Sequence, residues 1–479
     1  MILGAGMSGL CMAIELKRAG VHDFVILEKS AGLGGTWWDN RYPGAQVDVP
    51  APLYSFSFAP NPLWKRRFAD AAEIQAYMLA CAQAQGVLPH IRFGTTLRSA
   101  SFDERSDRWQ LCTAADEPFD AQFFVCSTGP LSRLRWPDVP GLNDYRGRRL
   151  HSSRWDAGLA LQGQRVGVIG TGSTACQLIP PLAQVAAQLH VFQRTANWVL
   201  PRLDRPYNAL DRALVRLPLY ARAVRAFWFN VLEMGRRGFE EGSFMRRAML
   251  ANAARHLQRQ VSDAALRERL TPPYALGCKR LVYSNEFYPA LMQPNVELVT
   301  DAISRVTATG IVTVDGAGQL TERPLDVLVC ATGFDVQHSL AEMHITGRNG
   351  QTLDSAFADG PVAQLGLTVA GFPNLFLMLG PNTATGHTST LLYIEPGVRW
   401  AVRAMQEVAR RGLRSIDIKA AVMQAYNDGL QARLAGSVWA GCRSWYRSDS
   451  GRVIAIFPGF TREYVKAVED QRFEDFVFA

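Results

Sequence analysis

Hydrophobic and polar positions along the chain predict two similar strand–helix–strand units. The first runs from "MILGAG" to "FVILE": an apolar strand, a glycine-rich turn, a helix, and a second apolar strand that ends at Glu28. The second runs from "RVGVIG" to "LHVFQ", with the same order of elements over residues 165–193. Two such units in one chain are typical of an α/β fold with parallel sheets.

Two further apolar strands bracket the second unit and indicate the order of the domains. They are "FVCSTG" at 124–129 and "LVCATG" at 328–333, and each ends in a turn of small residues. This arrangement predicts two Rossmann-like dinucleotide-binding domains, the second inserted into the first, so that the chain crosses between them twice. The expected boundaries are 1–132 and 331–479 for the first domain and 133–330 for the second.

A helical insert is predicted within the second domain, over about 205–270. Its most amphipathic piece is "LPLYARAVRAFWFNVLEM", residues 217–234. Between Pro201 and Leu270 there are fourteen Arg against seven Asp or Glu, so this region carries most of the net charge of +8. A charge excess confined to one region argues against nucleic-acid binding. A solvated helical face is the favoured interpretation, and contact with a membrane surface or an anionic partner stays open.

Composition narrows the class of protein. The 479 residues are 48% hydrophobic and 20% charged, which suits two or three soluble domains. No apolar run approaches the ~20 residues that cross a bilayer, and the N-terminus lacks the features of a signal peptide. We therefore expect a cytoplasmic protein without stable membrane insertion. Only three residues precede Gly4, which is short for a first strand and favours a start a few residues upstream.

The cysteines indicate neither a disulfide framework nor a metal site. There are eight, without a C-x-x-C pair or a metal-ligand spacing. We expect them to be reduced and mostly buried, and we expect no dithiol-reductase chemistry.

The first glycine turn has the spacing of a dinucleotide site. Gly4 would make the tight turn, Gly6 would let the backbone approach a pyrophosphate, and Gly9 would let helix and strand pack closely. Glu28 follows about 20 residues later, where a carboxylate accepts a hydrogen bond from a free ribose 2′-hydroxyl and repels a 2′-phosphate.

The second glycine turn differs at its acidic position. Gly170, Gly172 and Ala175 repeat the spacing, but Arg194 and Thr195 follow the second strand. A guanidinium binds phosphate through two parallel hydrogen bonds, which suits the 2′-phosphate of NADP; an exposed Arg on an ordinary Rossmann unit is the alternative. Sites of opposite ribose chemistry predict FAD at the first turn and NADPH at the second.

A stretch between the two units, "YRGRRLHSSRWD", shows no helical or strand period. It carries Tyr145, Gly147, His151, Trp155 and Asp156, and with the glycine turns on both sides it resembles the F-x-G-x-x-x-H-x-x-x-W-[P/D] fingerprint of Baeyer–Villiger monooxygenases, a branch of the class B flavin monooxygenases. Tyr145 stands where the family usually has Phe. The likeness covers nearly the whole chain, and it includes "GLGGTWWDNRYPGAQVDVPAPLYSFSF", "GCKRLVYSNEFYPAL", "ATGFD", "GPNTATGHTS" and "SWY".

The resemblance implies an enzyme that uses FAD, NADPH and O₂ to insert one oxygen atom beside the carbonyl of a small-molecule ketone, through a C4a-peroxyflavin, to give an ester or lactone. It implies that the fingerprint segment is an interdomain linker whose His and Trp lie near both cofactors. Because the helical insert precedes the "GCKR" segment, we also expect the insert to border the substrate entrance.

The family's functional residues match positions of this chain. Arg280 matches the catalytic Arg that stabilises anions, and Asp48 matches the carboxylate that holds and tunes it. Lys279 would join Arg194 and Thr195 around the 2′-phosphate. The remaining implied contacts are Gly34, Gly35, Trp37 and Asp39 along FAD, and Trp445 over bound NADP⁺. For Trp37 and Trp445, core packing is an equal alternative.

Two other functions stay open from the sequence. A related monooxygenase would oxidise nitrogen or sulfur of a small molecule. A non-catalytic flavoprotein that senses NADPH would have no reason to keep Arg280 beside Asp48.

Overall fold

The computed structural model describes all of residues 1–479. Its strands are β1 Ile2–Leu3, β2 Ile26–Leu27, β3 Ile91–Arg92, β4 Leu97–Asp103, β5 Arg108–Thr113, β6 Pro118–Ala121, β7 Phe124–Cys126, β8 Arg148–His151, β9 Arg165–Ile169, β10 Gln188–Phe192, β11 Val199–Leu200, β12 Val282–Tyr283, β13 Val296–Val299, β14 Ala302–Val306, β15 Gly310–Val314, β16 Leu320–Pro324, β17 Val327–Cys330, β18 His344–Thr346, β19 Leu375–Leu377, β20 Ile416–Ile418 and β21 Phe476–Phe478. Its helices are α1 Met7–Arg18, α2 Thr36–Asp39, α3 Ala71–Ala84, α4 Ser173–Val185, α5 Ala209–Val215, α6 Pro218–Gly235, α7 Phe244–Gln260, α8 Ala264–Arg269, α9 Phe287–Leu291, α10 Leu353–Ala356, α11 Leu391–Arg410, α12 Ala420–Ala435 and α13 Thr461–Glu469.

Two five-stranded parallel sheets form the body of the molecule. The first has the order β19-β7-β1-β2-β3 and the second has the order β13-β10-β9-β17-β8. In the first sheet β1 lies between β2 and β7, and in the second β9 lies between β10 and β17. The α/β class with two Rossmann-like units is therefore confirmed.

The strand partners show where the chain crosses. The "FVCSTG" strand β7 completes the first sheet and the "LVCATG" strand β17 completes the second. β19 then pairs with β7, so the chain returns to the first sheet after finishing the second. Both glycine turns lie at the carboxyl ends of their strands, where ligands of parallel sheets bind.

Two smaller sheets accompany these units. β18, β4, β5 and β6 form a mixed sheet, in which β18 pairs with β4 in parallel, and β14, β15 and β16 form an antiparallel sheet. The Trp109 side chain of β5 is fully buried and donates its indole N–H to the Pro373 carbonyl, which ties the mixed sheet to the turn before β19.

The helical segment predicted at about 205–270 is observed as α5 to α8. It leaves the second unit after β11 and returns at β12, and these two strands pair with each other in parallel. Helix α6 packs inward through Phe229 and Leu232 on the largest hydrophobic core. No helix is both long enough and apolar enough to cross a membrane.

One prediction about the cysteines is wrong. Cys278 and Cys442 form a disulfide with a Cα–Cα distance of 6.0 Å across 164 residues of sequence. Six other cysteines are free, and all but Cys112 are buried, as expected. Sequence spacing does not show the pair, because the two residues come together only when the C-terminal loop folds over the segment before β12.

The closest packing in the first unit predicts a sharp effect on stability. A Cβ added at Gly9 in α1 would lie 1.9 Å from the Gly4 carbonyl oxygen, so Gly9→Ala forces the helix away from β1. We expect a loss of about 1–3 kcal/mol or more, measured by thermal unfolding. The matched control is Gly429→Ala in α12, which meets nothing within 4 Å and should stabilise by up to about 1 kcal/mol. Equal melting temperatures for the two variants would contradict this account of Gly9.

Candidate active site between two nucleotide-binding turns

The first turn leaves space for a ligand at one glycine and none at another. A Cβ at Gly4 would lie 2.8 Å from the Ser127 carbonyl oxygen, and Gly4 has a φ of +96°, so this position requires glycine. A Cβ at Gly6 would meet only Gly35 Cα, at 3.7 Å. Gly6 also caps α1 without a side chain, which leaves the first N–H groups of the helix free for an anion. The buried Ser127 Oγ beside this turn has no hydrogen-bond partner. A pyrophosphate therefore fits here.

Glu28 lies where the sequence predicts it, buried at the end of β2. Its two carboxylate oxygens accept hydrogen bonds from Ala5 N at 2.7 Å and Ser30 N at 2.8 Å. Each oxygen keeps a second lone pair, so the group can also accept from a ribose hydroxyl.

The segment after β2 folds back onto the first turn. Gly34 N donates to the Ala5 carbonyl. Both Gly34 and Gly35 have positive φ, and helix α2 begins directly after them, beside the glycine turn. Trp37 Nε1 donates to the Tyr54 hydroxyl at 3.1 Å. Asp39 accepts from Ser30 Oγ and pairs with Arg154 at 3.3 Å. Arg154 belongs to the fingerprint stretch, so this ion pair joins the two units.

The second glycine turn also has one glycine in close contact with the backbone and one beside open space. A Cβ at Gly170 would lie 2.7 Å from the Ala331 carbonyl oxygen, whereas a Cβ at Gly172 would meet nothing within 4 Å. Gly172 caps α4 without a side chain, as Gly6 caps α1. The open space in front of a helix N-terminus suits a second pyrophosphate.

Two cations lie together near the second turn. Burial, and then the neighbouring Arg194, lower the pKa of Lys279. Lys279 Nζ lies 4.6 Å from the centre of the Tyr274 ring, and neither cation has a carboxylate partner within salt-bridge distance. Thr195 stays beside the glycine turn because its carbonyl accepts from Thr171 Oγ1 at 3.3 Å. Two like charges without a counterion form a site for a dianion such as a phosphate.

The fingerprint stretch is better ordered than a linker. Arg148–His151 is the edge strand β8, paired with β17, although the sequence of this stretch shows no strand period. Tyr145 is buried in the core under this strand, and a Cβ at Gly147 would strike the Tyr145 ring and the Asp326 carbonyl. Asp156 accepts from Arg148 at 2.7 Å and holds the end of the strand. The four residues of this edge strand, two exposed arginines followed by buried Leu150 and His151, give no alternating pattern that sequence reasoning could recognise.

His151 is completely buried at the end of β8. Its Nε2 lies 3.1 Å from the Gly333 carbonyl of the "ATG" turn, and its Nδ1 lies 2.9 Å from Ser153 Oγ. Burial lowers the pKa of His151, so the ring is neutral at pH 7. Trp155 packs against the core of the second unit. His151 therefore fastens the first crossing of the chain to the second.

Arg280 and Asp48 form an ion pair across the boundary of the two units. Arg280 Nε and Nη2 both donate to Asp48 Oδ2, at 2.9 and 2.6 Å. Asp48 raises the pKa of the Arg280 guanidinium still further, so this charge is permanent. About a third of the Arg280 side chain, 32%, remains accessible. Nη1 faces the Thr385 carbonyl at the long distance of 3.4 Å, which leaves its hydrogens available to a substrate.

The surroundings of Arg280 include residues that sequence reasoning missed. Thr385 Oγ1 lies 3.2 Å from His387 Nδ1, and His387 Nε2 lies 3.2 Å from the buried Glu233 of helix α6. Burial alone would raise the pKa of Glu233, but hydrogen bonds from His387, the Arg462 N–H and the Thr461 side chain lower it to about 2. The one feature of the sequence that could have indicated this contact is Glu233 itself, an acidic residue within an amphipathic helix.

The C-terminal loop covers the same site. The Cys278–Cys442 disulfide joins the residue before Lys279 to the residue three positions before Trp445. Trp445 is partly buried, and its ring centre lies 4.3 Å from that of Tyr446. Burial raises the pKa of Tyr446 to about 12, so it stays a neutral hydroxyl beside Arg280.

Comparison with known proteins gives consistent results. The family model described as flavin-binding monooxygenase-like matches residues 1–216. The chain is 40% identical over 464 residues to a Baeyer–Villiger monooxygenase of Pseudomonas aeruginosa, covering 96% of this chain and 87% of that protein. It is 38% identical over 467 residues to a Baeyer–Villiger monooxygenase of Streptomyces coelicolor, covering 97% and 89%.

Solved structures agree over the full length. A steroid monooxygenase bound to NADP matches with a TM-score of 0.88 and 31% identity, covering 100% of this chain and 98% of the other. A closed structure of cyclohexanone monooxygenase matches with a TM-score of 0.89 and 27% identity, with the same coverage. OTEMO in complex with FAD and NADP matches with a TM-score of 0.89 and 26% identity, again with the same coverage.

The unpaired cations predict selectivity for the phosphorylated nucleotide. Arg194→Ala should raise the KM for NADPH about 10- to 100-fold with little effect on NADH, because a charge-assisted hydrogen bond contributes about 1.5–3 kcal/mol. Lys279→Ala should act in the same direction. Steady-state kinetics with both nucleotides measures this, and Arg305→Ala, on the outer antiparallel sheet, is the control. Equal losses with NADPH and NADH would remove Arg194 from the phosphate site.

The Cys278–Cys442 disulfide predicts how many cysteine thiols react before and after reduction. Unreduced denatured protein should titrate six thiols with a chromogenic disulfide reagent, and reduced protein should titrate eight. Cys442→Ser should also raise the KM for NADPH while FAD content stays constant, because the loop that carries Trp445 loses its anchor. Cys112→Ser, at a free and partly exposed thiol, is the control. Eight thiols before reduction would show that the bond is absent.

Proposed function

Because the chain belongs to the Baeyer–Villiger monooxygenases, we propose that the Arg280–Asp48 pair is the centre at which it oxidises a ketone. The enzyme uses FAD and NADPH: a ketone, O₂, NADPH and a proton give an ester or lactone, NADP⁺ and water. The observation that carries the assignment of the centre is a permanent, partly accessible guanidinium that follows Lys279 and is held by Asp48, which comes from the loop after the first glycine turn.

The chemistry divides between the cofactors and the chain. Bound FAD supplies the activation of O₂, which no side chain can perform. The chain must stabilise the negative charge that develops on the carbonyl oxygen as the tetrahedral adduct forms. Arg280 suits this task, because a guanidinium donates hydrogen bonds without giving up its proton at working pH.

Asp48 positions Arg280 and leaves one edge of it free. Both hydrogen bonds to Asp48 use the Nε and Nη2 edge, so Nη1 and the second Nη2 hydrogen point away from the carboxylate. A guanidinium held along one edge presents the other in a fixed direction, which is the preorganisation that electrostatic stabilisation requires.

We assign the cofactor contacts from the same geometry. Several residues of the first unit would hold FAD: Gly4, Gly6, Gly9, Glu28, Gly34, Gly35, Trp37 and Asp39. Others would hold NADPH: Gly170, Gly172, Arg194, Thr195 and Lys279, with Trp445 as a cover. The buried His151 and the Arg154–Asp39 pair would keep the two sites in register.

The domain assignment and cellular location follow from these sites. We assign 1–132 and 331–479 to the FAD-binding domain and 133–330 to the NADPH-binding domain, with the helical insert at the substrate entrance. The insert returns to the sheet at β12, immediately after Arg280, which supports that position. We also propose a cytoplasmic location, because NADPH is supplied there.

Loss of Arg280 should separate oxygenation from reduction. Hydride transfer from NADPH builds no anion at the substrate position, so Arg280→Ala should keep FAD bound and reducible. Ester formation should fall by about 10²–10³-fold, the cost of removing one oxyanion donor. Asp48→Ala should have a milder effect of the same kind. Rapid-mixing absorbance of the flavin measures reduction, and product analysis measures ester.

The control for this experiment is Arg323→Ala. Arg323 also binds a carboxylate, that of Glu297, through its Nε and Nη2 groups, but it lies on β16 in the outer antiparallel sheet. It should leave ester formation near the wild-type rate. If Arg280→Ala forms ester as fast as Arg323→Ala, the catalytic cation lies elsewhere.

A further inference from the structure

Helix α6 exposes an apolar stripe on the side that faces away from the molecule. The outer stripe is defined here as Leu219, Ala223, Phe227, Val231 and Met234, spaced three or four residues apart and therefore on one helical face. Leu219 is 79% exposed, Phe227 59% and Met234 56%. A helix on the surface of a soluble protein normally exposes polar residues, so an exposed apolar stripe indicates a binding surface for a protein, a membrane or a ligand.

The exposure is concentrated in this part of the molecule. Of the eighteen large hydrophobic side chains that are exposed, nine lie between residues 203 and 244. Leu210 and Leu217, on and beside α5, continue the stripe at 66% and 55% exposure, and Phe244 at the start of α7 is 76% exposed. The exposed apolar residues are thus concentrated in the insert and directly beside it.

The inner face of α6 is fixed, so the stripe cannot turn inward. Arg225 donates to the carbonyls of Pro52 and Ser55, both at 2.8 Å. Glu233 accepts from the N–H groups of Thr461 and Arg462. These contacts set the rotation of the helix, and the outer stripe stays in solvent.

The charges around the stripe are almost all positive. Arg212, Arg216, Arg222 and Arg237 are exposed. Most carboxylates between residues 203 and 244 are occupied: Arg66 binds Asp204, Arg205 binds Asp211, Arg236 pairs with Glu240, and Glu233 is buried against His387, which leaves Glu241 as the one exposed carboxylate without a partner. The surface therefore offers unpaired guanidinium groups beside Leu, Phe and Met side chains.

We propose that the outer stripe of α6, with α5, docks on the surface of an anionic phospholipid bilayer. Apolar side chains enter the boundary between headgroups and acyl chains, and the arginines bind the phosphate groups around them. Such a helix lies in the membrane surface and does not cross it, so the docking is peripheral and reversible by salt.

A second copy of the chain fits this surface less well. In a symmetric dimer the same patch would meet itself, and the four arginines would face four others with only Glu241 as an unpaired carboxylate among them. A lipid surface supplies both the apolar layer and the anions that this patch lacks.

The position of the stripe links docking to the proposed site. Glu233 on the inner face of α6 contacts His387, which contacts Thr385, whose carbonyl faces Arg280 Nη1. A docked α6 would place the substrate side of the enzyme against the layer in which an apolar ketone dissolves. The docking itself does not depend on the proposed role of Arg280.

The test is co-sedimentation of the FAD-loaded protein with sucrose-loaded vesicles. One set contains phosphatidylcholine alone, and the other contains phosphatidylcholine mixed with phosphatidylglycerol. We expect binding to the anionic set, weak binding to the neutral set, and release at high salt. The double variant Leu219→Glu with Phe227→Glu should lose at least tenfold in binding, and Arg216→Gln with Arg222→Gln about fivefold for each arginine.

Matched controls separate docking from misfolding. Leu320→Glu with Val477→Glu changes two hydrophobics of comparable exposure, 55% and 48%, elsewhere on the surface, and should bind as the wild type does. FAD content and turnover of a water-soluble ketone report folding, and both should stay unchanged in the Leu219 and Phe227 variant. If that variant lost FAD, the arginine variant alone would decide.

Three results would overturn the proposal. The first is failure of the wild type to bind anionic vesicles. The second is equal binding by the wild type and both stripe variants. The third is a stable dimer in mass photometry that the Leu219 and Phe227 variant abolishes, since a second copy would then cover the stripe.

Discussion

The ion pair of Arg280 and Asp48 depends on the exact approach of two separately built units. Arg280 comes from the segment that leaves the helical insert, and Asp48 comes from the loop after the first glycine turn. Both charges are partly withdrawn from water and lose their partner when the units separate, so the pair is favourable only when both units are in place. Neighbouring contacts fix the same approach: Tyr42 donates to Gln177 of α4, and Gln177 donates back to the Gln46 carbonyl.

Each side of the site is held by contacts that come from distant parts of the chain. His151 binds the Gly333 carbonyl, so the two crossings of the chain are fastened to each other. Arg154 binds Asp39, which connects the first crossing to the segment beside the first glycine turn. The disulfide between Cys278 and Cys442 connects the segment that carries Lys279 and Arg280 to the C-terminal loop. The proposed site is thus held by contacts between residues that are far apart in sequence.

The sequence predicted the parts of this structure that local rules determine. Gly4 and Gly170, which approach another part of the backbone closely, follow apolar strands at a fixed spacing. The turns that they pack against, after β7 and β17, were recognised in the sequence from their small residues. The Arg280–Asp48 pairing came from the family resemblance, since 232 residues separate the two. Edge strand β8 escaped notice because one exposed edge gives no continuous apolar run. The disulfide, the Glu233–His387 contact and Arg154–Asp39 escaped notice because nothing in the local sequence marks which distant residue a buried polar group will meet.

The positively charged residues of the chain differ in whether they have a carboxylate partner. Lys279 and Arg280 are adjacent in sequence, yet Arg280 has a carboxylate partner and Lys279 has only Arg194 and an aromatic ring. The neutralised cation can remain in place throughout a reaction, whereas the unpaired cations are stabilised only when an anion binds. The arginines on the outside of α5 and α6 are unpaired in the same sense, but they surround apolar side chains instead of a glycine turn. The groups beside the unpaired cations therefore determine which anion binds. Arg194 and Lys279 lie near a helix N-terminus, which suits a nucleotide phosphate. The arginines of α5 and α6 surround Leu, Phe and Met side chains, which suits a surface that is both anionic and apolar.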